Sequence, residues 1–182
     1  MAKYNKEYYE PLEQMMAVRH QYMSKILRDH TDQDIYNFFQ NKQVLDLGCG
    51  TGEFLNNYFE MGAQCTGIDI EKNFKLKNKK NFNLYNLDAN TFLKNCKKKF
   101  DIIFLFEFLE HLEEGDKHKL FESLIKILNK NALIFVSTLN KNLLSKYLAI
   151  DIAENILKLL PKKTHDYNCL LYTSDAADEF MG

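Results

Sequence analysis

The chain contains 182 residues, of which 46% are hydrophobic and 27% are charged, and its formal net charge is -1. These values fit one globular domain with a single substantial core, and they argue against a disordered or strongly basic protein. Because Arg19 and Arg28 are the only arginines, we expect no nucleic-acid partner. No stretch reaches the roughly 18 apolar residues of a membrane span. Four cysteines, at positions 49, 65, 96 and 169, lack the close pairing of a metal-binding knuckle and indicate a reduced, intracellular protein.

The first 40 residues predict helices. Apolar residues from Met15 to Leu27 recur at near-helical spacing, and Thr31 is a candidate N-cap for a second helix over 32–39. We expect residues 1–40 to form a helical cap that packs over the ligand-binding end of the following domain and partly covers the ligand.

From residue 41 onward, short apolar segments alternate with amphipathic ones. Strands are predicted at 43–47, 64–69, 82–87, 101–106 and 132–138, and helices at 53–60, 71–79, 90–96, 115–129 and 143–160. This alternation predicts an α/β fold: a doubly wound, mostly parallel sheet that binds its ligand at the carboxyl ends of the strands. The lysine-rich runs 72–80 and 97–99 are interpreted as solvated faces, because no aromatic residues interleave to stack on bases.

A glycine-rich turn follows the first predicted strand. In QVLDLGCGTG, residues 43–52, glycines at 48, 50 and 52 leave the backbone bare where the strand turns into a helix. The free N–H groups at the start of that helix would face a ligand above the turn. The sequence therefore predicts a cofactor site at Gly48, Gly50 and Gly52.

Two carboxylates accompany this turn and indicate the kind of ligand. Asp69 ends the second predicted strand, 17 residues after Gly52, close to the offset of roughly 20 residues at which an acid binds ribose hydroxyls. The glycines are spaced G-x-G-x-G, whereas a dinucleotide site needs G-x-G-x-x-G. Asp46, just before the turn, would repel a pyrophosphate and favour a cationic ligand such as a sulfonium. A plain strand–turn–helix without a ligand is the alternative.

A second group of polar residues follows the fourth predicted strand, in LFEFLEH. If this segment winds into a helical turn, Glu107, Glu110 and His111 lie at i, i+3 and i+4 and share one face. Such a set suits a divalent cation: the carboxylates favour Mg²⁺, and the imidazole favours Zn²⁺ or Mn²⁺. A metal there would lower the pKa of a bound ring hydroxyl. The alternative is that these side chains decorate a helix start and pair with lysines.

Five segments together resemble a known family. VLDLGCGTG, TGID, EFLEHLEE, VSTLNKN and YLAIDIAENILKLLPKKTHD are similar, in this order, to segments of the ubiquinone biosynthesis O-methyltransferases, over roughly residues 11–166. The resemblance implies a Rossmann-like class I methyltransferase that uses S-adenosylmethionine to methylate polyprenyl catechols and demethylubiquinol. The alternatives are an RNA ribose 2′-O-methyltransferase of the same fold and a non-catalytic cofactor-binding scaffold of a membrane biosynthetic complex.

The resemblance also implies roles for individual residues in the cofactor site. It assigns Gly48 and Asp69 to the cofactor, and the backbone of Phe106 to the methionine or adenine part. Asp88 matches an acid that binds the adenine amino group in many methyltransferases, and a turn-stabilising role is its alternative.

The resemblance extends to the metal and to an arginine near the N-terminus. The metal ligands that it implies, of which the first three are also the candidate catalytic residues, are Glu107, Glu110, His111 and His165. The last of these rests on analogy with small-RNA 2′-O-methyltransferases. The family carries a cofactor-contacting arginine near MMAVR, where this chain has Gln14, and Arg19 is the candidate substitute.

The segment 143–160 combines apolar residues with flanking lysines. This composition suits a helix lying on an anionic bilayer, where a polyprenyl substrate resides, and packing against the rest of the domain is the alternative. We therefore expect a cytoplasmic protein that associates peripherally with the inner face of the membrane. Other proteins of the ubiquinone pathway are candidate partners.

The end of the chain departs from the family pattern. The family sheet has seven strands and five are predicted here, so we expect the methyltransferase domain, residues 41–168, to lack its C-terminal hairpin. Residues 169–182 include CLLYTSDAADE, which resembles the translation of a sequencing adapter. We expect this tail to be non-native.

Overall fold

Strands and helices alternate along most of the described chain in the order that the hydrophobic pattern predicts. A computed structural model describes residues 6–31 and 33–137. The helices are α1 (Lys6–Thr31), α2 (Ile35–Phe39), α3 (Glu53–Glu60), α4 (Ala89–Asn95) and α5 (Glu114–Lys126), with a 3₁₀ turn at Leu109–His111. The strands are β1 (Gln43–Leu47), β2 (Gln64–Asp69), β3 (Phe82–Asn86), β4 (Phe100–Phe106) and β5 (Leu128–Ser137).

The five strands form one parallel sheet in the order β3-β2-β1-β4-β5. The chain adds β2 and β3 on one side of β1, and then crosses to add β4 and β5 on the other. The strand order therefore reverses between β1 and β4, which is where open α/β sheets bind their ligands. The predicted doubly wound architecture is confirmed.

Both faces of the sheet are buried, and alternate residues of each strand enter different cores. On β1, Val44 packs in a cluster with residues of α1, α2 and α3, whereas Leu45 packs in a cluster with residues of α4 and α5. On β4, Phe104 belongs to the same cluster as Val44, and Ile103 belongs to the same cluster as Leu45. This two-residue alternation is the expected geometry of strands covered on both sides.

The prediction of a helix at 71–79 is wrong, because the described chain has no helix between β2 and β3. Asn78 explains part of this difference. Its side-chain Oδ1 accepts a hydrogen bond from Leu84 N–H (2.8 Å), and its Nδ2 donates to Leu84 C=O (3.3 Å). An asparagine side chain that bonds to backbone groups competes with helix formation.

The second helix begins later than predicted and has a different cap. Thr31 donates its hydroxyl back to Leu27 C=O within α1, so it does not cap the next helix. Asp34 does so instead, accepting from Asn37 N–H at 2.9 Å.

The boundary between α5 and β5 also differs from the prediction. The helix ends at Lys126 and the strand begins at Leu128, whereas the helix was expected to 129 and the strand from 132. Leu128 pairs with Phe100 across an irregularity in the ladder, and Asn129 donates to Asp101 (2.8 Å). Because of these contacts, the residues from Leu128 onward join the sheet and do not extend α5.

The predicted helix 143–160 and the tail 169–182 lie outside the described residues, and so the predicted lack of a C-terminal hairpin stays a prediction. Within residues 6–31 and 33–137, no helix combines the length and apolar character needed to cross a bilayer.

Candidate active site

A crevice of about 660 Å³ opens at the carboxyl ends of β1, β2 and β4. It is lined by residues of α1, by the turn after β1, by the segments that follow β2, β3 and β4, and by the start of α4. This volume lies in the range of small-molecule and cofactor sites, and its position is the switch point of the sheet.

The glycine turn forms the floor of the crevice. Gly48 and Gly50 both have positive φ angles, +80° and +53°, which L side chains rarely adopt. A Cβ at Gly48 would meet the Phe108 ring at 2.9 Å, whereas a Cβ at Gly50 would meet nothing within 4 Å. The backbone at Gly50 is therefore bare toward open space, as a ligand lying across the turn requires.

Asp69, at the end of β2, is tied to this turn by hydrogen bonds. Its Oδ2 accepts from Gly50 N–H (2.7 Å), and its Oδ1 accepts from Glu71 N–H (2.8 Å). Burial raises the pKa of this carboxyl, and the two backbone bonds oppose that effect. A carboxylate has about four acceptor positions, so each oxygen of Asp69 can still accept from a ligand hydroxyl.

Asp46 lies beneath the crevice with 4% of its surface exposed. Burial raises its pKa from the ordinary 3.8 to about 7, and the charge of Asp69 adds to this effect while Arg19 opposes it. A desolvated carboxyl of this kind gains most from a cation placed nearby. The site thus favours a positively charged ligand.

Arg19 of α1 lies over the side of the crevice formed by β4. Its guanidinium packs 4.9 Å from the centre of the Phe106 ring and 6.0 Å from that of Phe54. Its Nη2 donates to Glu107 Oε2, and the side chains of both residues are only 14% exposed. Burial lowers the pKa of Arg19, while the nearby carboxylates Asp46 and Glu110 raise it.

Glu107 follows β4 directly and is held from three sides. Its φ of +47° is uncommon for a residue with a side chain. Its N–H donates to Ser137 C=O (2.9 Å), the Ser137 hydroxyl donates to Glu107 Oε1 (2.6 Å), and Arg19 binds the other oxygen. A backbone in this region persists where the surroundings fix it, and such residues cluster at functional sites.

Comparisons with known proteins agree with this geometry. A family model for the methyltransferase domain matches residues 18–173. The ubiquinone biosynthesis O-methyltransferase of Pelagibacter ubique (strain HTCC1062) is 34% identical over 177 residues, which cover 93% of this chain and 72% of that protein. The chain belongs to the ubiquinone biosynthesis O-methyltransferase family.

Solved structures show the same fold. An S-adenosylmethionine-dependent methyltransferase from Archaeoglobus fulgidus aligns with a TM-score of 0.54 at 24% identity, covering 96% of this chain and 72% of that one. The N-methyltransferase NodS from Bradyrhizobium japonicum WM9 gives a TM-score of 0.55 at 17% identity, covering 83% and 82%. These alignments confirm the predicted class I fold. The family model and the Pelagibacter ubique relative confirm the predicted family, and the enzyme class is an S-adenosylmethionine-dependent O-methyltransferase.

The residues present fit the cofactor of this methyltransferase family. The open space over Gly50 accepts a ligand without displacing any side chain, and Asp69 presents a carboxylate beside it. Asp46, Gly48, Gly52, Asp88 and Phe106 also belong to the turn or the crevice. Gly52 precedes α3 with φ +82°, and a Cβ there would meet Leu84 at 2.9 Å.

Asp88 fills one of the two roles that its sequence position left open. It lines the crevice and is the N-cap of α4, where its Oδ1 accepts from Thr91 N–H (2.9 Å) and from the Thr91 hydroxyl (3.2 Å). The capping role is therefore present. Binding of an adenine amino group stays a prediction.

The helical turn predicted over 107–111 is wrong. Only Leu109–His111 form a 3₁₀ turn, and Glu107 precedes it in the left-handed backbone region. The carboxylate of Glu107 is turned to Arg19 and Ser137, whereas His111 is exposed. Among residues 6–31 and 33–137, no three His, Cys, Asp or Glu side chains are arranged to hold a metal ion.

These described residues therefore do not by themselves fit a divalent cation. His165, the fourth predicted ligand, lies outside the described part of the chain, and so does the side chain of Gln14. The metal set stays a prediction.

Ser137 is the site residue that sequence reasoning missed. It lies in VSTLNKN, at the end of β5, and pairs with Phe106 of β4. The signal was available, because a hydroxyl at the carboxyl end of a strand beside β4 reaches the same edge as Glu107. The contact itself depends on the register of two strands, which the sequence does not specify.

Proposed function

We propose that this methyltransferase acts on a ring hydroxyl of a polyprenyl catechol or demethylubiquinol in ubiquinone biosynthesis. The observation that carries the proposal is the Asp69 carboxylate, which is fixed at the bare backbone of Gly50 and lines the same crevice as Glu107 at the end of β4. The name of the Pelagibacter ubique relative supports the choice of a quinone-type acceptor.

The cofactor would be held by residues from three elements. Both oxygens of Asp69 would accept from the ribose hydroxyls, and the backbone at Gly50 would lie under the ligand. Arg19 would bind the carboxylate of the amino-acid part, since guanidinium suits this group. When bound, the cofactor supplies a methyl group on a positively charged sulfur, and the buried carboxylate of Asp46 would stabilise that charge.

The acceptor would enter from the side of Glu107. In the transfer, the cofactor would supply its methyl group to the acceptor oxygen, and a base would take the hydroxyl proton. Glu107 is the proposed base, because its carboxylate lies at the crevice and is oriented by the Ser137 hydroxyl. Orientation of the two reactants then supplies much of the rate enhancement. Glu110 and His111 remain candidates for contacting the acceptor.

Metal assistance is a separate proposal that needs residues beyond the described ones. Glu107, Glu110 and His111 would have to turn toward one point, and His165 would have to join them. No step above depends on a metal. Dialysis of the full chain against a chelator, followed by addition of Mg²⁺, Zn²⁺ or Mn²⁺, tests this proposal. Methyl-transfer activity should fall on dialysis and return with one of these ions, and activity that is unchanged by the chelator would contradict the proposal.

We also propose that the segment 143–160, predicted to be helical, docks on the cytoplasmic face of the membrane, where a polyprenyl acceptor resides. Flotation of the full chain with vesicles of phosphatidylglycerol and phosphatidylethanolamine tests this. Co-flotation that weakens at high salt supports it, and absence of co-flotation counts against it.

The acceptor proposal is tested by following methyl transfer from isotopically labelled S-adenosylmethionine to a short-chain prenyl catechol. The full chain should label the catechol oxygen, and Asp69→Ala should abolish the labelling. Labelling of RNA ribose in place of the catechol would support the RNA enzyme. Cofactor binding without transfer to either acceptor would support the scaffold.

A further inference from the structure

The charges that line the crevice are strongly unequal. Among the described lining residues, Arg19 is the one arginine or lysine. It faces a set of six lining carboxylates, Asp46, Glu53, Asp69, Glu71, Asp88 and Glu107. A ligand that carries a carboxylate into this crevice therefore finds a single guanidinium to neutralise it, and an unpaired carboxylate there would be costly.

That guanidinium already has a partner. Arg19 Nη2 binds Glu107 Oε2, and the pair is largely shielded from water. Its Cζ also lies over the Phe106 ring, 4.9 Å from the ring centre. A ligand carboxylate that approaches Nη2 would then compete with Glu107 for this donor.

Glu107 has a second attachment that does not involve Arg19. Its other oxygen accepts from the Ser137 hydroxyl at 2.6 Å, and its N–H donates to Ser137 C=O at 2.9 Å. Loss of the Arg19 contact would thus leave Glu107 anchored at the end of β4, with one carboxylate oxygen exposed to the crevice.

We infer that Arg19 exchanges Glu107 for the carboxylate of the cofactor, so that cofactor binding releases Glu107 to contact the acceptor. The inference rests on the proposed function and deepens it. It makes Glu107 a competitor of the cofactor before it becomes a partner of the acceptor. Binding would accordingly be ordered, with the cofactor first.

The exchange has an unusual thermodynamic consequence. A conformation that blocks binding lowers the apparent affinity by the fraction of molecules that are competent. If the Arg19–Glu107 pair is formed in most ligand-free molecules, it blocks cofactor binding in them. Removing the charge of Glu107 should then tighten cofactor binding by about three- to tenfold. A residue that only shaped the site would weaken binding when changed.

Calorimetric titration of the full chain tests this with two probes. S-adenosylhomocysteine has the amino-acid carboxylate and a neutral sulfur, whereas 5′-methylthioadenosine lacks the amino-acid part. Glu107→Gln should bind S-adenosylhomocysteine about three- to tenfold more tightly and bind 5′-methylthioadenosine as the unchanged chain does. Arg19→Lys should weaken only S-adenosylhomocysteine, because lysine lacks the planar fork.

Glu53→Gln is the matched control. Glu53 lines the same crevice, but its carboxylate accepts from Lys75 (2.8 Å) and Thr51 (2.9 Å). It should not tighten S-adenosylhomocysteine binding. The exchange is overturned if Glu107→Gln binds this probe equally or more weakly, or if both glutamine variants tighten it alike. If the unchanged chain binds neither probe, the proposed function fails as well; if it binds them normally, only the exchange is at stake.

Discussion

The crevice has two halves that keep their shape by different means. The adenosine half, named for the ligand part proposed to bind there, is defined as residues 48–52 with Asp69. It is held mainly by backbone N–H groups: those of Gly48 and Cys49 donate to Ile68 C=O, and that of Gly50 donates to the Asp69 carboxylate. The transfer half, defined as Arg19, Phe106, Glu107 and Ser137, is built from side chains. Its two main contacts join residues 88 and 30 positions apart in sequence.

This difference predicts different sensitivities. Backbone hydrogen bonds between neighbouring strand ends cannot rearrange without disturbing the sheet, so the adenosine half should be rigid and intolerant of change. An ion pair between a helix and a strand end can exchange partners at small cost to the fold. We therefore expect substitutions in the adenosine half to lower cofactor affinity strongly. Substitutions in the transfer half should raise or lower cofactor affinity, depending on which partner of the ion pair is changed.

The largest expected effect is that of Asp69→Ala on cofactor affinity. It would remove the two hydrogen bonds proposed from ribose hydroxyls to a charged group, each worth about 1.5–3 kcal/mol, so affinity for S-adenosylhomocysteine should fall about 100-fold or more. Binding of 5′-methylthioadenosine should fall equally, because both ligands share the ribose. Titration calorimetry measures both.

Asp116→Ala is the control for this substitution. Asp116 pairs with Lys119 on the surface of α5, so its removal should leave both affinities unchanged. Retained binding by Asp69→Ala would mean that the ribose lies elsewhere, and would remove the distinction between the two halves.

The next effect concerns Asp46, which lies beneath the crevice. Its pKa is raised from 3.8 to about 7 in the folded chain, so between these values the folded state binds more protons than the unfolded state. The free energy of unfolding should therefore fall as pH rises from about 4 to about 7. Asp46→Asn removes this contribution. The free energy of unfolding of the variant, minus that of the unchanged chain, should therefore rise by about 2–3 kcal/mol from pH 5 to pH 8.

Urea unfolding of both proteins at these two pH values checks the prediction. The difference between the proteins cancels the titration of all other groups. Parallel stability profiles would show that Asp46 titrates normally, and that its burial does not favour a cationic ligand.

The smallest expected effect is that of Gly50→Ala on stability. The φ of +53° should cost alanine about 1 kcal/mol, and no neighbouring atom would be displaced. Affinity for S-adenosylhomocysteine should also fall, by about tenfold, because the alanine side chain would occupy space that the ligand needs. Urea unfolding and calorimetry separate the two effects.

Gly115→Ala provides the comparison. Gly115 lies in α5, and a Cβ there also meets nothing within 4 Å, so alanine should leave cofactor affinity unchanged and not lower stability. Equal losses of affinity in both variants would contradict the assignment of Gly50 to the ligand.

The adenosine half was predictable because its information is local. VLDLGCGTG and the acid ending the next strand follow from apolar runs, glycine spacing and a short offset, and the structure places Gly50 and Asp69 in contact. The doubly wound, mostly parallel sheet followed from the alternation of elements. These features depend on neighbouring residues and on general rules of parallel sheets.

The transfer half was not predictable in the same way. The sequence suggested that Glu107 begins a helical turn, but its position is decided by Ser137 and Arg19, which lie far away in the chain. The prediction of a helix at 71–79 is wrong for a related reason. Its lysines are compatible with a helix, yet Asn78 bonds to the backbone of β3, a contact that exists only after the strand is in place.

A crystal structure of the full chain with S-adenosylhomocysteine would test both halves in one measurement. We predict that the ribose hydroxyls lie within hydrogen-bond distance of both Asp69 carboxylate oxygens, and that the ligand carboxylate has replaced Glu107 at Arg19. A ribose bound away from Asp69 would contradict the account.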